Sequence, residues 1–119
     1  MNILLVDDVE SNRVLPAVIL RKAGHQITEC RDATEALARF PEQDYDCLLL
    51  DISLPGISGI ELCQRLRALG AAMPIIAYTA HALASETEQI MQAGFDALLV
   101  KPITRDALLQ TIQNVTRPA

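Results

Sequence analysis

A doubly wound α/β fold, a parallel sheet with helices on both faces, follows from three features of the sequence. Five short apolar runs alternate with five helix-like stretches. The runs are near-continuously apolar, as strands buried on both faces are. Glycine and proline fall mostly at the boundaries between elements.

The first strand, expected over about 2–7, carries Ile3-Leu4-Leu5-Val6 and ends on Asp7-Asp8. A helix follows over about 10–23, with Gly24 as its C-terminal stop. Pro16 lies inside that helix and is expected to bend its second turn, since an interior proline costs about 3 kcal/mol. The second strand (26–30) and second helix (33–40) come next. The third strand (46–51) carries Cys47-Leu48-Leu49-Leu50, closes on Asp51 and breaks at Ile52-Ser53-Leu54-Pro55-Gly56. The third helix (58–69) stops at Gly70. Pro74 opens the fourth strand (74–79), where it removes no central ladder bond, and that strand ends on Thr79. The fourth helix (84–93) stops at Gly94, and the fifth strand (96–100) ends on Lys101-Pro102, a site that favours a cis bond more than most. Thr104 is the expected N-cap of the last helix, 105–116.

Composition bounds the function. The 119 residues fit one domain spanning 1–119. Half the residues are hydrophobic, yet there are only two Tyr, two Phe and no Trp, so the core is expected to be aliphatic. A formal net charge of −5 without a Lys/Arg cluster argues against a nucleic-acid surface. No segment reaches the roughly 18 apolar residues of a membrane span, and Asp7-Asp8 interrupts any signal-peptide layout, so a cytoplasmic location is expected. Cys30, Cys47 and Cys63 are widely spaced in apolar surroundings and read as reduced core thiols, not metal ligands.

Parallel strands place all their carboxyl ends on one edge, where ligands of such sheets bind. Asp7, Asp8, Asp51, Thr79 and Lys101 all fall there. Taken singly each has an ordinary structural reading: the acid pair could cap the first helix or favour its dipole, Thr79 could be a β-branched strand end, and Lys101 a surface lysine. Taken together, the acids repel unless a cation or lysine neutralises them. Hard oxygen ligands at one edge suit magnesium. A hydroxyl and an ammonium beside them suit a phosphoryl group.

These residues closely resemble the receiver domain of two-component response regulators. The matching segments are Val6-Asp7-Asp8, Leu50-Asp51, Leu54-Pro55-Gly56 with Gly59, Ile75 through Ala80, and Lys101-Pro102. The resemblance implies a flavodoxin-like five-stranded parallel sheet in the order 2-1-3-4-5. It implies that Asp51 accepts a phosphoryl group from a partner phosphohistidine. Asp8 would bind Mg2+ (or Mn2+) directly and Asp7 through water, with an oxygen of Asp51 and the backbone carbonyl of Ser53 completing the protein's share. Thr79 and Lys101 would bind the transferred group. The domain would thus catalyse its own phosphorylation and dephosphorylation.

Ser11-Asn12-Arg13 and Thr79-Ala80-His81-Ala82 look like receivers of hybrid sensor histidine kinases. The expected partners are therefore a sensor histidine kinase or a histidine phosphotransfer protein, with a monomeric receiver relaying phosphate. If excised from a hybrid sensor, the parent would be a histidine kinase and the domain part of its cytoplasmic portion. The alternative is a stand-alone regulator that acts on a protein by conformational change. Leu98 departs from the family, which usually carries Tyr or Phe three residues before the lysine. Tyr78 neighbours Thr79 but is expected on the opposite strand face. His81 could modulate phosphate hydrolysis or be a solvated loop residue, and His25 reads as a surface residue.

Other phosphate chemistries fit less well. A haloacid-dehalogenase-type phosphatase wants a second Asp where Ser53 stands, a flavodoxin wants a hydroxyl-rich loop where Asp7-Asp8-Val9-Glu10 stands, and no Gly-x-x-x-x-Gly-Lys motif is present. On the first helix, 100° spacing puts Asn12, Leu15, Pro16, Ile19, Leu20 and Ala23 on the expected sheet-facing side. Val14 and Val18 lie opposite among Ser11, Arg13, Arg21 and Lys22, and read either as scattered surface residues or as a docking stripe for a helical phosphotransfer partner.

Overall fold

Every apolar run forms a strand and every helix-like stretch a helix in the computed structural model, which describes residues 1–80 and 84–116. The strands are β1 (Asn2–Val6), β2 (Gln26–Cys30), β3 (Cys47–Asp51), β4 (Ile75–Thr79) and β5 (Ala97–Val100). The helices are α1 (Glu10–Lys22), α2 (Ala33–Arg39), α3 (Gly59–Ala68), α4 (Ala84–Gln92) and α5 (Arg105–Thr116), and one 3-10 turn (Phe40–Glu42) extends α2. The sheet order is β2-β1-β3-β4-β5 with every pairing parallel, as expected.

Period-two alternation splits the core. Leu4, Val6, Leu48, Leu50, Ile75 and Ala77 face a layer that includes Ala36 of α2, Leu62 and Leu66 of α3 and Ile90 of α4. Ile3, Leu5, Cys47, Leu49, Ile76 and Tyr78 face Ala17 and Leu20 of α1 and Leu108 and Ile112 of α5. The three cysteines are buried and unpaired, and burial pushes their thiols up to about 12 (Cys30 and Cys47) and about 11 (Cys63), which keeps them protonated.

Local chemistry sets the element ends. Asp32, Ser58 and Thr104 accept backbone N–H groups of Glu35 (2.8 Å), Glu61 (3.2 Å) and Ala107 (3.1 Å) at the starts of α2, α3 and α5. Gly24, Gly70 and Gly94 adopt φ of 95°, 98° and 110° just past α1, α3 and α4. Helix α1 has no such cap. Its N-cap is Val9, whose own side chain cannot accept a hydrogen bond, and of the backbone donors Asp7 accepts only the Val9 N–H rather than one inside the first turn.

Gly59 is required by close approach. A β-carbon there would collide with the carbonyl oxygen of Asp51 and with Ile52 Cα, so α3 can start directly against the end of β3 only with glycine. At the far edge of the sheet, Arg67 clamps two connections. Its guanidinium donates to the carbonyls of Ala71 (3.0 Å), Met73 (2.7 Å) and Gly94 (2.7 Å) and pairs with Asp96 (2.8 Å). The acid edge is thus free of that scaffolding.

One expectation about α1 needs correction. Its buried residues are Pro16, Ala17, Ile19 and Leu20, whereas Asn12, Leu15 and Ala23 are exposed. The buried arc is turned toward Ala17, whose methyl group fits against the sheet. Leu15 therefore falls outside the arc, and Asn12 and Ala23 lie near the helix ends. Val14 and Val18 are exposed, as expected.

Candidate functional site

Register alone assembles the site. Val6 pairs with Leu50, so Asp7 lies level with Asp51, which itself pairs with Tyr78. Thr79 pairs with Val100, which places Lys101 one step beyond it. The ladders continue past the strands: Asp7 N donates to Cys30 O (3.1 Å), Ile52 N to Tyr78 O (3.2 Å) and Lys101 N to Thr79 O (2.8 Å). The peptide between Lys101 and Pro102 is cis.

The acids meet closely. Asp7, Asp8 and Asp51 each offer a carboxylate oxygen, and these oxygens all lie within 4.8 Å of one another. Asp7 and Asp51 are buried while Asp8 is exposed, so the cluster opens toward solvent on the Asp8 side. Lys101 Nζ sits 3.4 Å from Asp7 Oδ2 and 3.3 Å from Asp51 Oδ2. Backbone donors complete the set: Val9 N donates to Asp7 Oδ1 (2.9 Å) and Ser53 N to Asp51 Oδ1 (3.0 Å). Arg13 Nη1 donates to the carbonyl of Asp7 (2.6 Å) and ties the loop to α1. Hard oxygens of three acids, one open to water, fit a magnesium ion.

Thr79 is buried on the opposite face of β4, where it lines a cleft of about 220 Å3 with Ile52, Ser53 and Ile60 and with Glu86 and Gln89 of α4. Asp51 and Thr79 therefore approach the same edge from two sides. His81 lies outside the described residues. His25 is far from the acids, with Nδ1 3.2 Å from the Met1 amino group.

Sequence reasoning missed Tyr78. It does sit on the face opposite Thr79, but that is the face of Asp7 and Asp51. Its hydroxyl donates to Asp7 Oδ2 at 2.7 Å, and its ring centroid is 4.7 Å from Lys101 Nζ. Burial first, and then the hydrogen bond to Asp7, hold the phenol well above its ordinary range, so it remains a protonated donor. The signal was available: pairing puts Asp51 and Tyr78 on one face, and among the described residues Tyr78 is the only aromatic one in a sheet strand.

Burial raises the pKa of Asp51 first of all. The Ser53 N–H pulls it down, Asp7 pushes it up and Lys101 pulls it down, leaving it above the ordinary aspartate value. A carboxyl raised in the folded state keeps its proton longer there than in the unfolded chain. Its ionisation therefore costs stability above the raised value, and that cost fades as pH falls toward the ordinary value of about 3.9. Asp51→Asn is expected to stabilise the metal-free protein at neutral pH, with the advantage shrinking on acidification. Magnesium is expected to add about 2.7 kcal/mol to the wild type at a hundredfold excess over its dissociation constant, and less to the variant. Thermal melts with and without magnesium across pH check both statements. A melting temperature indifferent to millimolar magnesium would contradict them.

Comparison with known proteins agrees with this geometry. Residues 3–113 match the response regulator receiver domain family. The chain is 40% identical over 112 residues to the sensor histidine kinase RcsC of Salmonella typhi, covering 94% of this chain and 12% of RcsC. It is 36% identical over 108 residues to the sensor protein EvgS of Escherichia coli O157:H7, covering 91% of this chain and 9% of EvgS. The chain thus spans only about a tenth of these relatives' length. Among solved structures, the receiver domain of sensor histidine kinase PA1611 from Pseudomonas aeruginosa, with magnesium in its active site cleft, superimposes with a TM-score of 0.89 at 34% identity, covering 98% of both chains. The chemotaxis protein CheY4 of Vibrio cholerae does so with a TM-score of 0.92 at 28% identity, covering 96% of this chain and 97% of CheY4. With its fold, its strand-end acids and these relatives in agreement, the chain belongs to the response regulator receiver domain family.

Proposed function

We propose that this receiver accepts a phosphoryl group on Asp51 from the phosphohistidine of a sensor kinase and passes it to a histidine phosphotransfer protein. The observation that carries the reading is the closeness of Asp7, Asp8 and Asp51 with Lys101 bridging two of them. An oxygen of Asp51 attacks phosphorus, the P–N bond breaks, and the imidazole leaves with the bonding pair. Magnesium, held by Asp8, Asp51 and the Ser53 carbonyl and through water by Asp7, would neutralise charge on the transferring oxygens. Lys101 moves from the acids toward the phosphoryl oxygens, and the Thr79 hydroxyl donates to one of them. The protein's contribution is positioning and charge balance.

Several features favour onward transfer over a stand-alone output. The two relatives named above are a sensor histidine kinase and a sensor protein. Leu98, partly buried against the α2–α4 side of the core, replaces the family's usual aromatic and offers neither ring stacking nor a hydroxyl. The α1 surface is also more apolar than its sequence suggested. Leu15 (52% exposed) joins Val14 (53%) and Val18 (42%). Grooves of about 400 and 510 Å3 run beside them, toward Lys101 and Ile103 and toward Lys22 and Arg105. An apolar centre with a basic rim suits a helical phosphotransfer partner. No helix among the described residues is long and apolar enough to cross a membrane.

Acetyl phosphate or phosphoramidate with magnesium is expected to add one phosphoryl group to the intact mass, and Asp51→Asn to abolish that gain. Equal labelling of the variant would refute the assignment. Val14→Asp combined with Val18→Asp is expected to slow transfer to a partner histidine about tenfold, equivalent to about 1.4 kcal/mol, while leaving small-donor labelling intact. Unchanged partner transfer in the folded double variant would move the interface elsewhere.

A further inference from the structure

We propose that Tyr78 is a positioning residue for the acid site, holding Asp7 in place while Lys101 moves between the acids and the incoming phosphoryl group. The proposal rests on the phosphoryl-acceptor reading above. One carboxylate oxygen, Asp7 Oδ2, has two donors: the Tyr78 hydroxyl at 2.7 Å and Lys101 Nζ at 3.4 Å. The two differ in freedom. Tyr78 is fully buried and packed in the core beneath α1 and α5, so its hydroxyl is fixed. Lys101 ends a flexible four-carbon stem and is already shared with Asp51.

Asp7 is fully buried, so bulk solvent does not replace a donor that leaves, and a water shared with magnesium would donate to one oxygen without taking over the place of Lys101. Were Lys101 alone on Oδ2, each movement toward a phosphoryl oxygen would strand a buried anionic oxygen, and Lys101 would be held back by that cost. The tyrosine separates the satisfaction of Asp7 from the position of Lys101. Its ring, 4.7 Å from Nζ, gives the cation a face to rest against between turnovers. An aliphatic residue at this place would fill the core but supply neither donor nor ring face. The same side chain also lines the groove between α1 and the Lys101–Ile103 segment.

Two measurements test this. With two Tyr and no Trp in the chain, Tyr45→Phe leaves Tyr78 as the sole near-ultraviolet chromophore of its kind. Tyr45 packs on the other face of the sheet, stacked on Phe40. Magnesium titration of Tyr45→Phe is expected to shift the tyrosine band with the midpoint at which magnesium raises the melting temperature. A flat band through that transition would overturn the proposal. In kinetics at saturating magnesium, Tyr78→Phe is expected to slow small-donor labelling of Asp51 about three- to tenfold, within the span of one hydrogen bond. Tyr78→Leu, which also removes the ring, is expected to slow it further, so that the ring-preserving variant partly rescues it. Tyr78→Phe labelling as fast as a labelled wild type would sink this proposal alone, whereas an unlabelled wild type would sink the phosphoryl-acceptor reading with it. The spectral test needs no Tyr78 variant to fold.

Discussion

Three carboxylates crowded at one sheet edge, two of them bridged by one ammonium, are the constraint on which the rest of the structure depends. Parallel register brings Asp7 level with Asp51, and the adjoining loop adds Asp8, so their oxygens lie within 4.8 Å. Like charges at that range repel one another, and the burial of Asp7 and Asp51 leaves little solvent to screen them. Lys101 offsets part of this repulsion from 3.3–3.4 Å, and the backbone N–H groups of Val9 and Ser53 offset more. In the function proposed above, a divalent cation and then a phosphoryl group would relieve the remaining repulsion in turn.

The scaffold serves this crowding. The central strands β3 and β4 are buried throughout, so the polar residues at their ends project from a close-packed core. Gly59 lets α3 begin against the carbonyl of Asp51, and Arg67 knots the connections at the opposite edge. Thr79 and Tyr78, adjacent in sequence, look onto opposite sides of the sheet. Thr79 addresses the cleft beside α4. Tyr78 addresses Asp7 and the groove beside α1.

Much of this was legible in the sequence because strand ends are punctuated by chemistry. Apolar runs closing on Asp7, Asp51, Thr79 and Lys101 marked both the strands and the shared edge, and Gly24, Gly70 and Gly94 marked the helix stops. What stayed hidden depends on register and on relative rotation. Tyr78 counts as part of the core by residue type, and only its pairing with Asp51 brings its hydroxyl to Asp7. The rotation of α1 depends on how Ala17 seats against the sheet, which a helical wheel does not contain, so Leu15 was placed on the wrong side. The acid pair looked able to cap α1, yet Asp7 spends its oxygens on Val9, Tyr78 and Lys101.

The most direct test of the charge-balance account is the magnesium affinity of Lys101→Met, measured by calorimetric titration against the wild type. Lys101 is the cation that already neutralises Asp7 and Asp51, so magnesium must compete with it. The account predicts that removing it tightens magnesium binding even as phosphoryl acceptance is lost. Unchanged or weaker magnesium binding in a folded Lys101→Met protein would contradict it.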